Sequence, residues 1–307
     1  MDVIILAGGH SAEREISLKS GIGVRNALLA RGHTVSMIDP VNVEIQNLPV
    51  RADQIVFIAL HGTFGEDGQI QQILENRNLC FTGSSASASA IAFDKSQAKQ
   101  IFLNYAIATP RHSIISRKDS LIQREKLCSS ISCPVFVKPN AQGSSIGVSR
   151  VDISEQLNQA IDHALDYGET VIIEEFISGQ EWTVAIFEDI IFPPIQIQTP
   201  RTFYDFSAKY QETSTQYFID QNQDETLIER LIAAAQKAAQ AIETSGLIRV
   251  DFIVDNTGQP WCLELNTIPG MTSTSLAPKA ASQHGWTYET LCENICDSAL
   301  KSKGLNS

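Results

Sequence analysis

IRVDFIVDNTGQPWCLELN, residues 248–266, is the stretch that decides the fold. Two runs of alternating side chains flank Asp255-Asn256-Thr257-Gly258, a turn-forming quartet. They predict a β-hairpin of strands 248–254 and 261–266. Side chains on a strand alternate between faces. Arg249 and Asp251 therefore share one face of the first strand, and Glu264 and Asn266 one face of the second. If the strands pair around that turn, Asp251, Glu264 and Asn266 converge as three hard oxygen donors suited to Mg²⁺. Ile248, Val250, Phe252, Leu263 and Leu265 fall on the opposite face and predict the core side. Taken alone, the same text also fits a solvated strand face with scattered charges.

Four other stretches carry chemistry. Val137-Lys138-Pro139 precedes Gln142-Gly143-Ser144-Ser145-Ile146-Gly147. A lysine at a strand end reaches a phosphate as a point charge, and a glycine–serine loop presents backbone N–H groups to phosphate oxygens. A flexible surface hairpin would look the same, and no Gly-Lys dipeptide of the usual nucleotide loop occurs. Ile173 to Ile177, with Glu174 and Glu175, then Glu181, offers an extended edge for an adenine ring and a carboxylate for ribose hydroxyls; charge on an edge strand also serves solubility. Gly8-Gly9-His10-Ser11-Ala12-Glu13-Arg14 reads as a glycine turn into a helix N-terminus, with Ser11 as N-cap. Such a turn favours an anion, and Glu13 beside it would pair with an ammonium, so a zwitterion suits the pair. His61 to Gly68 holds three glycines, which predicts a shaped loop; His61 is either a structural histidine or a hydrogen-bonding group for substrate.

Around these, Val3–Leu6, Thr34–Ile38 and Gln54–Leu60 read as strands of a small doubly wound parallel sheet. Later strands are expected at 134–138, 146–151, 170–177, 181–187 and 190–198, with helices at 95–104, 154–166, 225–244 and from about 287. A chain of 307 residues exceeds one core, and three units are expected: 1–90, 91–177 and 178–307. The small-residue text near Ser84 to Ala92 marks the first boundary. Apolar residues at 43% and charged residues at 19% indicate an ordinary folded protein. A net charge of −12 argues against a duplex nucleic-acid partner, while leaving room for a local positive pocket. The N-terminus lacks a signal-peptide pattern, and no stretch approaches the ~18 apolar residues that cross a bilayer, so a cytoplasmic protein without a membrane partner is expected. The six cysteines form no Cys-x-x-Cys pair and are expected as free thiols.

Taken together, the motifs GGHSAEREISLKSG, ALHGTFGEDGQIQ, VFVKPNAQGSSIGVS, FYDFSAKYQETSTQYF, LIRVDFIV and CLELNTIPGMTSTSLAPKAA resemble the D-alanine–D-alanine ligases, in family order from residue 8 to about residue 281. The resemblance implies a mixed α/β ATP-grasp fold: an N-terminal doubly wound parallel sheet, then two α+β sub-domains enclosing a nucleotide. It implies that Glu13 binds the amino group of the first D-alanine, and that Arg249, Ser275 and the backbone at Gly270 bind the carboxylate of the second. Arg249 would also stabilise the tetrahedral intermediate, and His61 would lie on the substrate side. Ser144 and Tyr210 would join Glu13 in closing the site, with 202–220 as a mobile loop. ATP would meet Lys95, Lys138, Ser145, Glu174 and Lys209, with adenine at the backbone of Glu175 and Ile177 and ribose at Glu181. Asp251, Glu264 and Asn266 would hold two Mg²⁺ or Mn²⁺ ions. A homodimer is usual in the family. Two positions depart from the family text: Thr274 where histidine is frequent, and His10 where threonine or valine is common. They bear on substrate discrimination. A D-lactate or D-serine ligase is the nearest alternative; lactate-type relatives lack the loop pattern of Lys209-Tyr210. Another ATP-grasp carboxylate–amine ligase would share the hairpin and Lys138, but not Glu13 or the NTIPGMTSTS text.

Overall fold

The computed structural model describes residues 1–199, 215–219 and 224–304. Its strands form three sheets. In the first, β1 (Asp2–Leu6), β2 (Thr34–Ile38), β3 (Ile55–Ile58) and β4 (Cys80–Phe81) run parallel in the order β2-β1-β3-β4. Both faces of β1 and β3 are covered, which is why Val3–Leu6 and Ile55–Ile58 read as unbroken apolar runs. α1 (Arg14–Ala30) packs on one face and α2 (Gln69–Asn76) on the other. Ser11 is not the N-cap of α1. The helix starts three residues later, and Ser11 Oγ instead bridges the Glu13 N–H and the His61 carbonyl.

The second sheet is antiparallel, ordered β5-β8-β6-β7, from β5 (His112–Ser116), β6 (Val135–Pro139), β7 (Ser149–Val151) and β8 (Thr170–Glu175). α6 (Leu157–Leu165) covers one face, and α5 (Leu121–Cys128), opened by a Ser120–Gln123 capping box, lies beside β5. The strand expected over 146–151 shortens to β7, because Ser144, Ser145 and Gly147 turn the chain with φ of 50°, 58° and 69°.

The third sheet runs β12-β11-β9-β13-β14, with β10 paired to β9. Its strands are β9 (Gly179–Phe187), β10 (Ile190–Ile191), β11 (Ile195–Gln198), β12 (Gln216–Ile219), β13 (Leu247–Asp255) and β14 (Pro260–Asn266). The single strand expected over 190–198 is interrupted at Pro193-Pro194, whose nitrogens cannot donate to a ladder. α3 (Ala86–Phe93), α4 (Lys95–Asn104) and α7 (Glu225–Ile242) pack on one face around Trp182, Val250 and Phe252. Residue 90 therefore lies inside a helix packed on the third sheet. The 177/178 division falls between β8 and β9. α8 (Leu276–Gln283) and α9 (Tyr288–Ser302) turn back, α9 against α1, and complete a core shared by the first and third sheets.

The hairpin pairs Arg249 with Asn266 and Asp251 with Glu264, as its sequence predicts. Past Asp251 the register shifts: Phe252 faces Cys262, and Leu263 becomes the extra residue of a β-bulge. The bulge resets the alternation. Cys262 and Leu265 are buried, while Leu263, expected in the core, lines the cleft beside Glu264. All six cysteines are free.

Candidate active site

A cleft of about 430 Å³ opens between the second and third sheets, a size typical of small-molecule sites. Lys95, Lys138, Ser145, Glu174, Glu175, Ile177 and Glu181 all line it. Alternation on β6 explains the lysine: Val135 and Val137 face the core, so Phe136 and Lys138 face the cleft. Glu174 sits opposite Phe136 on β8, on that same side. Its Oε2 lies 2.5 Å from Lys138 Nζ. Glu174 is 1% exposed; burial works to raise its carboxyl, but Lys138 and Lys99 outweigh it and bring the pKa down to about 2. Lys138 is pushed up, because Glu174 outweighs the opposing effect of burial. Lys95, at the start of α4, donates to the Gln142 carbonyl at 2.7 Å and lies 3.5 Å from Glu264.

The two residues of the expected adenine edge differ in their surroundings. Glu175 turns its side chain outward to Arg111 at 2.8 Å, and its N–H donates to the Arg111 carbonyl at 2.9 Å. The Ile177 N–H, beyond the end of β8, has no hydrogen-bond partner among the described residues.

A second cavity, about 70 Å³, continues from the first. Gly143, Glu181, Asp251 and Glu264 line both. Glu13, His61, Ser144, Arg249, Asn266, Gly270 and Ser275 also line it. Glu13 is buried, and Ser144 Oγ donates to its Oε1. The carboxylate is pressed between two glycines: a Cβ on Gly62 would stand 2.6 Å from Glu13 Oε2, and one on Gly143 2.5 Å. His61 is also buried, with Nε2 3.2 Å from Ser20 Oγ and Nδ1 3.8 Å from Glu66. Burial would lower its pKa, yet Glu66, and then Glu13, raise it above the ordinary value. His61 is thus packed and also lines the cavity. Ser275 accepts from the Thr272 N–H at 3.0 Å and sits against Gly270, where a Cβ would come within 2.8 Å of its Oγ.

Arg249 donates to both oxygens of Asp251, at 2.9 and 2.8 Å. Thr183 Oγ1 and Asn266 Nδ2 also donate to Asp251, at 2.6 and 3.2 Å. No group of three His, Cys, Asp or Glu suited to a metal occurs among the described residues. The oxygen set expected for Mg²⁺ is instead two carboxylates and an amide. It fits a hard cation in donor chemistry, because Asp251 and Glu264 are directly cross-strand with Asn266 two residues on.

The Gly8-Gly9 turn does not offer its N–H groups to an anion: Gly8 donates to Ser17 Oγ at 2.7 Å and Gly9 to Asp39 Oδ1 at 3.0 Å. Asp39, gripped by Arg14 at 2.5 Å, already supplies the anionic partner. Lys209 and Tyr210 lie outside the described residues. Residues that sequence reading passed over are Thr183, which orients Asp251, and Lys99, which touches Glu174. Thr183 stands on a strand 68 positions away, and no local pattern points to it.

The model of the family "D-ala D-ala ligase C-terminus" matches residues 101–297. The D-alanine–D-alanine ligase of Gloeobacter violaceus is 39% identical, over 98% of this chain and 100% of its own. That of Acinetobacter baumannii is 40% identical, over 97% and 96%. Among solved structures, the Bacillus anthracis D-alanine–D-alanine ligase superposes with a TM-score of 0.87 at 31% identity, covering 99% of both chains. The structure of that enzyme complexed with ATP gives 0.86. Likeness of this extent in both sequence and fold leaves one assignment: the chain belongs to the D-alanine–D-alanine ligase family and has the ATP-grasp fold.

Proposed function

We propose that the larger cleft binds ATP, that the smaller cavity binds two D-alanine molecules, and that the chain joins them into D-alanyl-D-alanine for peptidoglycan. The observation that carries this is the merging of the two cavities at Asp251 and Glu264. There the phosphate end of a nucleotide meets the carboxylate of a small zwitterion.

A free carboxylate resists attack by an amine, because it is anionic and its oxygen leaves poorly. An oxygen of the first D-alanine therefore attacks the γ-phosphorus, the bond to the β-phosphate oxygen breaks, and D-alanyl phosphate and ADP result. The neutral amine of the second D-alanine then attacks the acyl carbon. The tetrahedral intermediate collapses with loss of inorganic phosphate and of the amine proton. Lys95 and Lys138 offset charge on the phosphates, with Ser145 beside them. Ile177 N–H meets adenine next to Glu175, Glu181 takes the ribose hydroxyls, and Glu174 holds Lys138. Glu13 accepts the first ammonium, with Ser144 donating to it and His61 beside it. Ser275 and Gly270 receive the second carboxylate, and Arg249 stabilises the oxyanion. Asp251, Glu264 and Asn266 would hold two Mg²⁺ or Mn²⁺ ions, which supply positive charge against the phosphates. Three working units (1–90, 91–177, 178–307), a homodimer and a cytoplasmic location belong to the same proposal. No helix among the described residues is long and apolar enough to cross a membrane.

The test is incubation with ATP, Mg²⁺ and a panel of D- and L-amino acids, D-serine and D-lactate, with ADP and product mass measured. ADP and D-alanyl-D-alanine from D-alanine alone are the expected outcome. Absence of ADP with D-alanine would remove the reading, and equal turnover of D-lactate at neutral pH would replace it with the lactate alternative.

A further inference from the structure

Three charged side chains meet at the floor of the larger cleft, and the innermost has no part in the roles above. Lys99, on α4, is fully buried. Its Nζ lies 3.1 Å from Glu174 Oε1 and donates to Thr109 Oγ1 at 2.7 Å. Thr109 donates onward to the Cys262 carbonyl at 2.7 Å. The other Glu174 oxygen faces Lys138 at 2.5 Å.

Burying an ammonium is costly unless it is paired and hydrogen-bonded. Glu174 needs one counter-ion, and Lys138 already provides it. A second lysine on the same carboxylate leaves the cluster with surplus positive charge. That surplus reaches the cleft through Lys138, whose side chain is 15% exposed, against 0% for Lys99.

We infer that Lys99 is a positioning residue for the nucleotide phosphates: it holds one oxygen of Glu174, so that the other steers the Lys138 ammonium into the cleft without neutralising it. Without Lys99, both oxygens of Glu174 have Lys138 as their only ammonium, and Lys138 is drawn back from the phosphate. The arm through Thr109 ties this cluster to Cys262 on β14, the strand that carries Glu264. The phosphate-facing lysine and the acids across the cleft are thereby held in one frame.

The inference rests on the ATP reading of this cleft. Calorimetric titration of ADP and of adenosine into the wild type, Lys99→Met, Thr109→Val and Lys138→Met tests both. Lys99→Met is expected to weaken ADP roughly tenfold or more, the scale of one lost charge-assisted contact, with adenosine and the D-alanine KM changed less than about twofold. A folding failure loses both ligands together, so equal loss of ADP and adenosine, or unchanged ADP affinity, overturns the inference. Thr109→Val keeps every charge and only loosens Lys99. It is expected to weaken ADP about threefold, a fraction of one hydrogen bond, and unchanged affinity there also counts against the role. Wild type that fails to bind ADP, or Lys138→Met that binds it normally, removes the ATP reading itself. Tight wild-type binding with an indifferent Lys99→Met removes only the inference.

Discussion

Arg249 and Asp251 satisfy each other through two hydrogen bonds, and this pairing shapes what each can do. A guanidinium gripped in a plane is pre-aimed, which is what charge stabilisation at an oxyanion needs. Arg249→Ala is expected to keep ADP binding while dipeptide synthesis falls about 10²-fold or more; wild-type turnover in that variant would refute its role. Gly62 acts through what it lacks. Its φ of 69° and the 2.6 Å approach to Glu13 leave no room for a Cβ. Gly62→Ala is expected to displace the Glu13 carboxylate and raise the KM for D-alanine on the order of tenfold, the weight of one charged contact, while ADP affinity stays. A D-alanine KM that does not move would separate Glu13 from substrate binding.

At the scale of elements, the loop from Ile268 to Ser275 owes its position to two helices distant in sequence. Ser20, on α1, accepts from the Met271 N–H at 3.2 Å, and Tyr288, on α9, donates to the Met271 carbonyl at 2.5 Å. Ser20 also touches His61, so one hydroxyl aligns the histidine with the loop that carries Gly270 and Ser275. Tyr288→Phe leaves that carbonyl unpartnered. It is expected to cost about 1 kcal/mol in urea unfolding and to raise the KM for D-alanine more than that for ATP. An equal rise in both would argue for a general loosening of the fold. The same scale shows where periodicity stops being a guide. The pattern of β13 and β14 correctly placed Asp251 opposite Glu264, because pairing register follows from the turn and the apolar face. It misplaced Leu263, because a bulge adds one residue to one strand only and depends on how the partner strand packs. The late start of β7 at Ser149 was invisible for a related reason: two serines, Ser144 and Ser145, in the left-handed region follow from their surroundings and not from propensity.

Across the whole molecule, ionic groups join the layers. Glu174 on the second sheet meets Lys99 of the helix packed on the third, and Thr109 links that lysine to β14. The Glu174 pKa is lowered from 4.5 to about 2 in the folded state. A carboxyl depressed by folding contributes stability above its unfolded pKa and loses it as pH falls through the folded one. The contribution of Glu174 is therefore complete above about pH 4.5 and lost towards about pH 2. Asp39, lowered from 3.8 to about 2 beside Arg14, adds to the same window. Melting temperatures between pH 5 and 2 are expected to fall less steeply in Glu174→Gln than in the wild type, although the variant starts lower. Parallel curves would assign the acid loss to other groups.

The family was legible in the sequence as a resemblance carried by six motifs in order. The hairpin that places Asp251, Glu264 and Asn266 and the parallel character of the first sheet are written in local text: a two-residue alternation, a turn, an unbroken apolar run. The tertiary structure decided what depends on segments far apart. It brought Thr183 to Asp251, Ser144 to Glu13 and Lys99 to Glu174, and it returned α9 to α1 so that the first and third sheets share a core. No local rule contains these pairings, because they arise from the packing of whole layers, and a side chain finds its partner only after that packing has set the distance.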